Sequence, residues 1–465
     1  MDFALFATLG DSEAIQYSNE EARNVINVVD SVDKKPAVQQ FPGLKPFAAG
    51  NGKARGAHTL NGIRYVINAN TLYREGDLGF RTAVGNVTGT DRAVFADDGA
   101  NLYFVADGSI YRFNGGTLST VAQSAITGVT SIAYINRSFI ITGNNALFAV
   151  SNAGDGTTYN TLNVAQAEVA PDSLTRVYTF NQLIYFFGAK TTEIHRYTGT
   201  GNPPILRQDS ALVNVGIAGK HAVTSTDSYM YWMGDDKKFY KCVASSYQQI
   251  GSPGVLYKVS KLSTVSDCIA SSFVHAGQDF VLFKLPSSGI TLLYSETLDY
   301  WVELSSGTDR DKVNSWYGSE VIRCYDKNLV TDHFSGATYE LDSDTYTDNG
   351  DAILHIISSR SFTGKDIGYV GRIIASGMYV EMQVGVGLLS GQGVNPQLMC
   401  EFSHEGGQVW QSQAFVDIGQ MGDYAKRVQF DQFSDGYKIR ARIMWSDPIP
   451  VTMWSGSIEL MPGGY

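Results

Sequence analysis

Charged residues are scarce in this sequence. Only 17% of its 465 residues are Asp, Glu, Lys or Arg, whereas an average globular protein has about 25%. A disordered chain needs the opposite balance, and aromatic residues reach 12% here, so large-scale disorder is excluded. The 48 glycines, together with many tyrosines and threonines, also argue against a coiled coil or a long helical bundle.

Cysteine and histidine are few, and neither is arranged as a set of metal ligands. Cys242, Cys268, Cys324 and Cys400 lie far apart and form no CxxC pair. The seven histidines form no HxH or HExxH pattern. We therefore predict reduced thiols, no metal and no cofactor.

Long apolar runs are missing as well. The uncharged run Met382–Cys400 contains four glycines, an asparagine and a proline, which does not suit a membrane span. Met1–Gly10 lacks the basic residues of a signal peptide. We expect a protein without a membrane span.

The net charge is −11, from 35 basic and 46 acidic residues. An acidic protein repels the phosphate backbone at range, which disfavours a free-standing DNA-binding protein. The same charge does not exclude a protein that lets DNA slide past without binding it.

A hairpin unit recurs along the middle of the chain. Each unit has short β-rich runs joined by Asn-Gly, Asp-Gly or other glycine-containing turns, which accept the positive φ of tight hairpins. The units fall at 61–74, 98–113, 131–150, 177–197, 229–243, 280–302 and 321–341. A spacing of roughly 35–50 residues is what a four-stranded propeller blade needs. We predict an all-β fold in which residues 41–345 form a six- or seven-bladed β-propeller; an array of β-sandwiches is the alternative.

The two ends of the chain lie outside this repeat. In residues 346–465 the predicted strands are longer and irregularly spaced, which is typical of a separate antiparallel β-sandwich. They cover 379–386, 397–403, 427–433, 437–445 and 451–460. Residues 1–40 are predicted to be an N-terminal arm that contacts a neighbouring subunit. Within the arm, Ser18 and Glu21 have capping-box spacing, and Val25–Val32 is typical of a strand lent to another sheet.

No residue pattern indicates catalysis. The segment Ser403–Trp410 is similar to the Asp-box of sialidases, but that motif stabilises a hairpin turn and carries no catalytic group. Asp97-Asp98 and Asp235-Asp236 fall at predicted turns, where Asp accepts backbone N–H bonds. The acidic residues of Asp342–Asp351 miss the spacing of a calcium loop, and this stretch predicts the domain junction instead. We predict that the protein is not an enzyme and has no catalytic residues.

One basic stripe has two interpretations. Lys438, Arg440 and Arg442 alternate with apolar residues, so in a strand all three charges lie on one face. They could pair with acidic residues across the sheet. They could instead form a docking face for an acidic protein surface or for phosphate.

Several short motifs occur together at a distinctive spacing. Ala167-Glu168-Val169-Ala170-Pro171-Asp172 is followed by Phe187-Gly188, Thr191-Thr192-Glu193, Thr198-Gly199 and Gly216-Ile217-Ala218-Gly219. Upstream lie Phe41-Pro42-Gly43-Leu44, Arg55-Gly56-Ala57-His58, Asn61-Gly62 and Leu72-Tyr73-Arg74. With this combination the chain resembles the tail nozzle, or tail hub, proteins of short-tailed bacteriophages, also called packaged-DNA stabilisation proteins. The resemblance runs from about Phe41 to Leu460.

The resemblance implies a structural virion protein in the phage tail, assembled in the host cytoplasm. It implies a homo-hexamer below the portal and its head-to-tail adaptor protein. Such a ring retains the packaged DNA, gives it an exit channel without specific binding, and carries tail spikes, fibres or a needle. The residues that carry the motifs are expected to be structural: Arg55, Gly56, His58, Pro171, Asp172, Gly188, Glu193 and Gly219. The alternative function is a carbohydrate-active or sugar-binding propeller protein of a phage tail.

Overall fold

The computed structural model describes residues 2–4, 21–29, 36–167, 173–310, 313–431 and 435–463. Within these ranges almost every regular element is a β-strand, which confirms the prediction of an all-β chain. The exceptions in the same ranges are one α-helix, α1 (Pro253–Ser260), and two short 3₁₀ helices, Pro286–Ser288 and Gly364–Ile367. Ser18 of the predicted capping box lies outside the described residues.

The N-terminal part contributes five strands, none of which begins the repeat. They are β1 (Asp2–Ala4), β2 (Ala22–Arg23), β3 (Val25–Val29), β4 (Pro36–Gln40) and β5 (Gly43–Ala48).

The middle of the chain folds into seven consecutive antiparallel groups of strands, here called sheets 1 to 7, counted among the described residues. Sheets 1 to 3 comprise β6 (Ala54–Leu60), β7 (Ile63–Asn68), β8 (Thr71–Glu75) and β9 (Arg81–Asn86); β10 (Val94–Asp97), β11 (Leu102–Ala106), β12 (Ser109–Phe113) and β13 (Leu118–Val121); β14 (Ser131–Ile135), β15 (Ser138–Thr142), β16 (Leu147–Asn152) and β17 (Asp155–Gln166). Sheets 4 and 5 comprise β18 (Leu174–Phe180), β19 (Leu183–Gly188), β20 (Thr192–Tyr197) and β21 (Ile205–Val213); β22 (Val223–Ser225), β23 (Met230–Met233), β24 (Phe239–Val243) and β25 (Ser246–Gln249). Sheets 6 and 7 comprise β26 (Ile269–His275), β27 (Gln278–Leu285), β28 (Ile290–Ser295) and β29 (Tyr300–Glu303); β30 (Gly318–Cys324), β31 (Lys327–Asp332) and β32 (Thr338–Asp342).

Tight turns explain why these sheets are meanders. Asn61 and Gly62 connect β6 to β7 with φ of 52° and 72°, and Asp107 and Gly108 connect β11 to β12 with φ of 47° and 75°. Positive φ at both central residues is the type I′ turn, whose twist matches that of the flanking strands. Each predicted hairpin unit therefore falls in a sheet of its own.

Sheet 7 takes its fourth strand from the N-terminal part of the chain. β32 pairs with β5 in an antiparallel ladder that runs from Asp342–Gly43 to Thr338–Ala48. The first strands of successive sheets lie side by side, and β30 of sheet 7 also contacts β6 of sheet 1. Sheet 7 therefore contacts both β5 and sheet 1, which come from the beginning of the chain. The boundary between sheets 1 and 7 is here called the seam.

Most of the C-terminal strands form two further sheet layers, whereas the first two extend the sheet of β5 and β32. The C-terminal strands are β33 (Thr347–Asp348), β34 (Asp351–Ala352), β35 (His355–Ser358), β36 (Phe362–Thr363), β37 (Ile373–Met382), β38 (Gln397–Ser403), β39 (Gln411–Asp417), β40 (Val428–Asp431), β41 (Asp435–Gly436), β42 (Lys438–Trp445) and β43 (Thr452–Pro462). One layer has the order β3-β4-β43-β37-β40, and the other has the order β2-β35-β42-β38-β39. β33 pairs with both β34 and β5, at the predicted junction.

The N-terminal strands tie these layers to the repeat. β2 pairs with β29 of sheet 6 on one side and with β35 on the other. β3 and β4 lie in the layer of β43, so the predicted strand that begins at Val25 does join a distant sheet of its own chain. One apolar core includes Val25 and Trp445 from the C-terminal layers together with Leu293 and Val330 from sheets 6 and 7. Core packing is therefore continuous from the repeat into the C-terminal layers.

Candidate functional site

The basic stripe lies on β42, between β35 and β38. Ile439, Ala441 and Ile443 point into apolar cores on one face. The three basic residues share the opposite face, as the period of two predicts. That face is covered: Arg440 is 1% exposed and Arg442 is 3% exposed.

Arg442 is paired with acidic residues inside the chain. It lies opposite Glu401 in the ladder between β38 and β42, and its guanidinium forms an ion pair with that carboxylate. A second carboxylate, that of Glu21, lies 3.3 Å from Nη1. Trp410 covers the guanidinium at 4.4 Å, and Arg310 pairs with the other oxygen of Glu401. The contacts of Arg442 therefore fit the first interpretation of the stripe, in which its charges pair with acidic residues across the sheet.

Arg440 holds backbone and hydroxyl groups. Its Nε donates to the Ser359 carbonyl at 3.0 Å, and Nη2 donates to Ser358 Oγ at 3.0 Å. Lys438 at the start of the strand is half-buried. A docking role for the three residues stays a prediction, and Lys438 is the member whose side chain is most accessible.

Three of the family-motif residues lie where sheet 1 meets sheet 2. Arg55 donates to four backbone carbonyls, those of Ala69, Val87, Thr88 and Asp91. Gly56 has a φ of 125°, and a Cβ there would meet the Phe95 ring at 2.9 Å. His58 Nε2 lies 2.7 Å from Asp97 Oδ2, and the Asp97 pKa is lowered by this hydrogen bond against the opposing effect of desolvation.

The other family-motif residues lie in and beside sheets 4 and 5. Glu193 and His195 are both buried, and Oε2 of Glu193 lies 3.1 Å from Nε2 of His195. The carbonyl of Gly188 accepts from Ile217 N, which links β19 to the connection that leads into sheet 5. A Cβ on Gly219 would lie 2.0 Å from the Ser266 carbonyl oxygen. Pro171 and Asp172 lie outside the described residues.

The central axis of the repeat contains two adjoining cavities, of about 230 Å³ and about 160 Å³. Phe95 and Arg176 belong to the walls of both. Together the walls draw on the first strands of all seven sheets or on residues just before them. Gly56 and His58 line the smaller one, so the sequence motif brings two of its members to the axis.

The smaller cavity, here called the axial cavity, also contains charged side chains that our sequence reasoning did not single out. Arg92, just before β10 of sheet 2, forms an ion pair with Glu320 in β30 of sheet 7. Desolvation lowers the Arg176 pKa to about 10, opposed only by Tyr178. Desolvation, reinforced by Arg92 and Arg176, lowers the His221 pKa well below its usual range. The sequence did contain a signal for these four charged or titratable residues, because each of them lies near the start of the first strand of its repeat unit.

Among the residues that the structure describes, no group of three or more His, Cys, Asp or Glu side chains is placed to hold a metal ion. Among the helices of those ranges, none has the length and apolar character needed to cross a bilayer.

Sequence comparison assigns the family. The profile of the family described as "Bacteriophage P22 Gp10, beta-propeller" matches residues 3–346. The chain belongs to this family. Family membership confirms the prediction of a packaged-DNA stabilisation protein of a bacteriophage, and with it the β-propeller part of the fold prediction. Among curated protein sequences, none matches the chain.

The solved structures to which the chain is similar are distant in sequence. The WD40 β-propeller domain of Doa1 has a TM-score of 0.43 and 12% identity, over 65% of this chain and 98% of that one. BBS1N, solved in complex with ARL6DN, has a TM-score of 0.42 and 12% identity, over 66% of this chain and 97% of that one.

Proposed function

We propose that the chain is the subunit of a hexameric tail nozzle, or tail hub, that sits below the portal and its head-to-tail adaptor protein. The family membership carries this proposal, because the family is one of phage structural proteins that stabilise packaged DNA. In this role the ring retains the genome, gives it an exit channel and is the platform for tail spikes, fibres or a needle.

The proposed subunit has three parts. Residues 41–345 form the propeller, and its seven sheets are seven blades closed by β5. Residues 346–465 form the β-sandwich, and residues 1–40 are an arm that contacts a neighbouring subunit. The antiparallel ladder between β5 and β32 supports closure of the propeller, since pairing the last sheet with an N-terminal strand removes a free sheet edge.

A rigid subunit suits a ring that resists the pressure of packaged DNA. β2 pairs with both β29 and β35, and the apolar core is continuous from sheets 6 and 7 into the C-terminal layers. If only the covalent chain joined the repeat to the C-terminal layers, the two could move relative to each other. A shared apolar core opposes this motion.

The DNA channel of the proposed ring lies between subunits and does not follow the axis of each propeller. Side chains of the first strands surround that axis and leave cavities of only about 230 Å³ and 160 Å³, too small for a duplex whose major groove alone is about 12 Å wide. Six chains of −11 would carry about −66, but screening over about 8 Å leaves only the channel lining to act on DNA. Acidic and amide side chains on that lining would let DNA pass without specific binding.

The experiment is a mass measurement of the purified chain with and without a portal–adaptor complex. We expect a monomer alone and six copies on each adaptor ring, because a closed ring needs a heterologous interface that the adaptor templates. One bound copy for each adaptor ring, or no binding at all, would contradict the proposal.

Docking through the basic stripe is tested with Lys438→Glu. This residue is the accessible member of the stripe, whereas charge reversal at Arg440 or Arg442 would disturb buried contacts as well. We expect weaker binding to adaptor or tail partners at unchanged stability. Unchanged binding would leave the stripe with a purely internal role.

The proposed role includes no catalysis. We expect no turnover of sialosides, polysaccharide or peptidoglycan by the purified chain. Turnover that a single carboxylate-to-amide substitution abolishes would support the carbohydrate-active alternative instead.

A further inference from the structure

The side chain of Arg176 has an unusual environment. It comes from β18 and reaches the axial cavity from sheet 4. Its Nε and Nη1 are buried and have no hydrogen-bond partner among the described residues. The Tyr178 ring, 5.9 Å from Cζ, is the neighbour that offers it a favourable contact. The residue as a whole is half-buried, but two buried N–H groups without an acceptor are unfavourable, so the surroundings favour an anionic acceptor at this point.

The side chain of Arg92 places a further donor at the same cavity. Arg92, Arg176 and His221 all line its wall, and both arginines reinforce desolvation in lowering the pKa of His221. Arg92 uses Nη2 to pair with Glu320, whereas its Nη1 is buried without a partner in the described part of the chain. The cavity is therefore surrounded by unused donors of two arginines.

The acidic residues nearby are directed at partners other than Arg176. Glu320 pairs with Arg92 through Oε2, while its Oε1 is buried without a partner in the described part of the chain, and Asp97 accepts a hydrogen bond from His58 at 2.7 Å. Among the described residues no carboxylate forms an ion pair with Arg176, and desolvation lowers its pKa to about 10. Water could satisfy its N–H groups but would not neutralise it.

We propose that the axial cavity binds a small inorganic oxyanion of the phosphate or sulfate type, held by Arg176 and by Nη1 of Arg92. The guanidinium fork matches the oxygen spacing of such anions. A volume of about 160 Å³ holds one tetrahedral anion and some water, since one water occupies about 30 Å³ of liquid. The site lies inside a single chain, so it does not depend on ring formation.

The bound anion would connect sheets 2 and 4 across the axis. Arg92 lies just before β10, and Arg176 lies in β18. A ligand that binds only the folded chain stabilises it in proportion to the logarithm of its concentration. The expected consequence is a folded state whose melting temperature depends on phosphate.

The test is a thermal melt of the full chain in HEPES buffer with sodium gluconate at constant ionic strength. Sodium phosphate or sodium sulfate at millimolar concentrations should raise the melting temperature of the wild type. Arg176→Gln should abolish this rise. Arg323→Gln, at a side chain that is 61% exposed, is the matched control and should respond like the wild type.

Two further measurements keep the test independent of folding defects. Glu320→Gln removes the acid that competes for Arg92, so calorimetry should show phosphate binding at least about tenfold tighter than in the wild type. Chloride, and a duplex oligonucleotide at equal phosphate concentration, should leave the melting temperature unchanged. The proposal is overturned if the wild type does not respond to phosphate or sulfate, if Arg176→Gln responds fully, or if chloride acts equally.

Discussion

Arg64 and Glu75 form a fully buried ion pair at the seam where the first and last sheets of the repeat meet. Arg64 Nη1 lies 2.5 Å from Glu75 Oε1, and both side chains are 0% exposed. Arg81 Nε contacts the second carboxylate oxygen at 2.7 Å. Arg64 also donates to the hydroxyls of Thr331 and Thr338 in sheet 7. One carboxylate of sheet 1 thus balances two arginines at the point of closure.

We expect Glu75→Gln to lower the free energy of unfolding by about 3–5 kcal/mol, because it leaves two buried cations without their counter-charge. Urea denaturation measures this loss. Asp326→Asn breaks the exposed pair with Arg323 and is the control, with an expected change below about 1 kcal/mol. Equal effects of the two variants would contradict a closure role for the buried pair.

The same pair predicts sensitivity to acid. Desolvation raises the Glu75 pKa, but Arg64 and Arg81 together outweigh it, so the pKa lies below its ordinary value of 4.5. A depressed carboxylate pKa contributes stability above the unfolded value, and this contribution is lost as the pH falls through the folded value. Stability should therefore fall below pH 4.5, and the fall should be shallower in Glu75→Gln. Identical acid limbs in wild type and variant would refute this prediction.

Lys284 predicts a second rise of stability with pH, in the neutral to alkaline range. Desolvation lowers its pKa to about 7 from 10.5, with Asp332 opposing. The folded state then binds its proton less tightly than the unfolded state, so stability rises between pH 7 and 10.5, by at most about 1.4 kcal/mol per pH unit. Lys284→Met should flatten this rise in urea titrations. Lys238→Met, at a side chain that is 46% exposed, should keep the wild-type slope.

Glu401 should be as important in the C-terminal layers as Glu75 is at the seam. Glu401→Gln deprives Arg442 and Arg310 of their buried partner, and we expect a loss of about 3 kcal/mol because Glu21 still lies beside Arg442. Asp435→Asn, which breaks an exposed pair with Arg372, is the control and should cost less than about 1 kcal/mol. If both variants unfold at the same urea concentration, the interior role of the stripe is wrong.

Gly219 tests whether a family-motif residue is structural. A Cβ there would lie 2.0 Å from a backbone oxygen, so Gly219→Ala should cost about 1–3 kcal/mol through a forced backbone shift. Gly116→Ala is the control, since the nearest atom is 3.7 Å from the added Cβ. Circular dichroism melts compare the two. A wild-type melting temperature in Gly219→Ala would show that the position tolerates a side chain.

Local chemistry made much of the strand pattern predictable. Turns such as Asn61-Gly62 carry their own signal, and the strand Gln397–Ser403 has the same bounds in prediction and structure. Other turns carried only half of this signal: Arg137, Gln182 and Tyr325 also take positive φ, each beside an Asn or Asp that does so too. Their own preferences do not favour this conformation, so packing of the flanking strands must impose it.

The candidate sites were less predictable, because their partners are distant in the chain. Period-two alternation placed Arg440 and Arg442 on one face but could not show that this face is covered. Glu401 lies 41 positions from Arg442, and Glu21 lies 421 positions from it. Residues so far apart in the chain come into contact only when β38 and the N-terminal strands pair with their neighbours.

By itself, the sequence determined the β-rich character, the repeating hairpin unit, the acidic balance and the family, because each is written in local patterns of turn residues, alternation and short motifs. Only the tertiary structure decided that β5 completes sheet 7, that β2 joins the repeat to the C-terminal layers, and that Arg92, Arg176, His221 and Glu320 surround one cavity. The physical reason is that strand pairing and ring packing bring together single residues from separate repeat units, and no local pattern records which of them will meet.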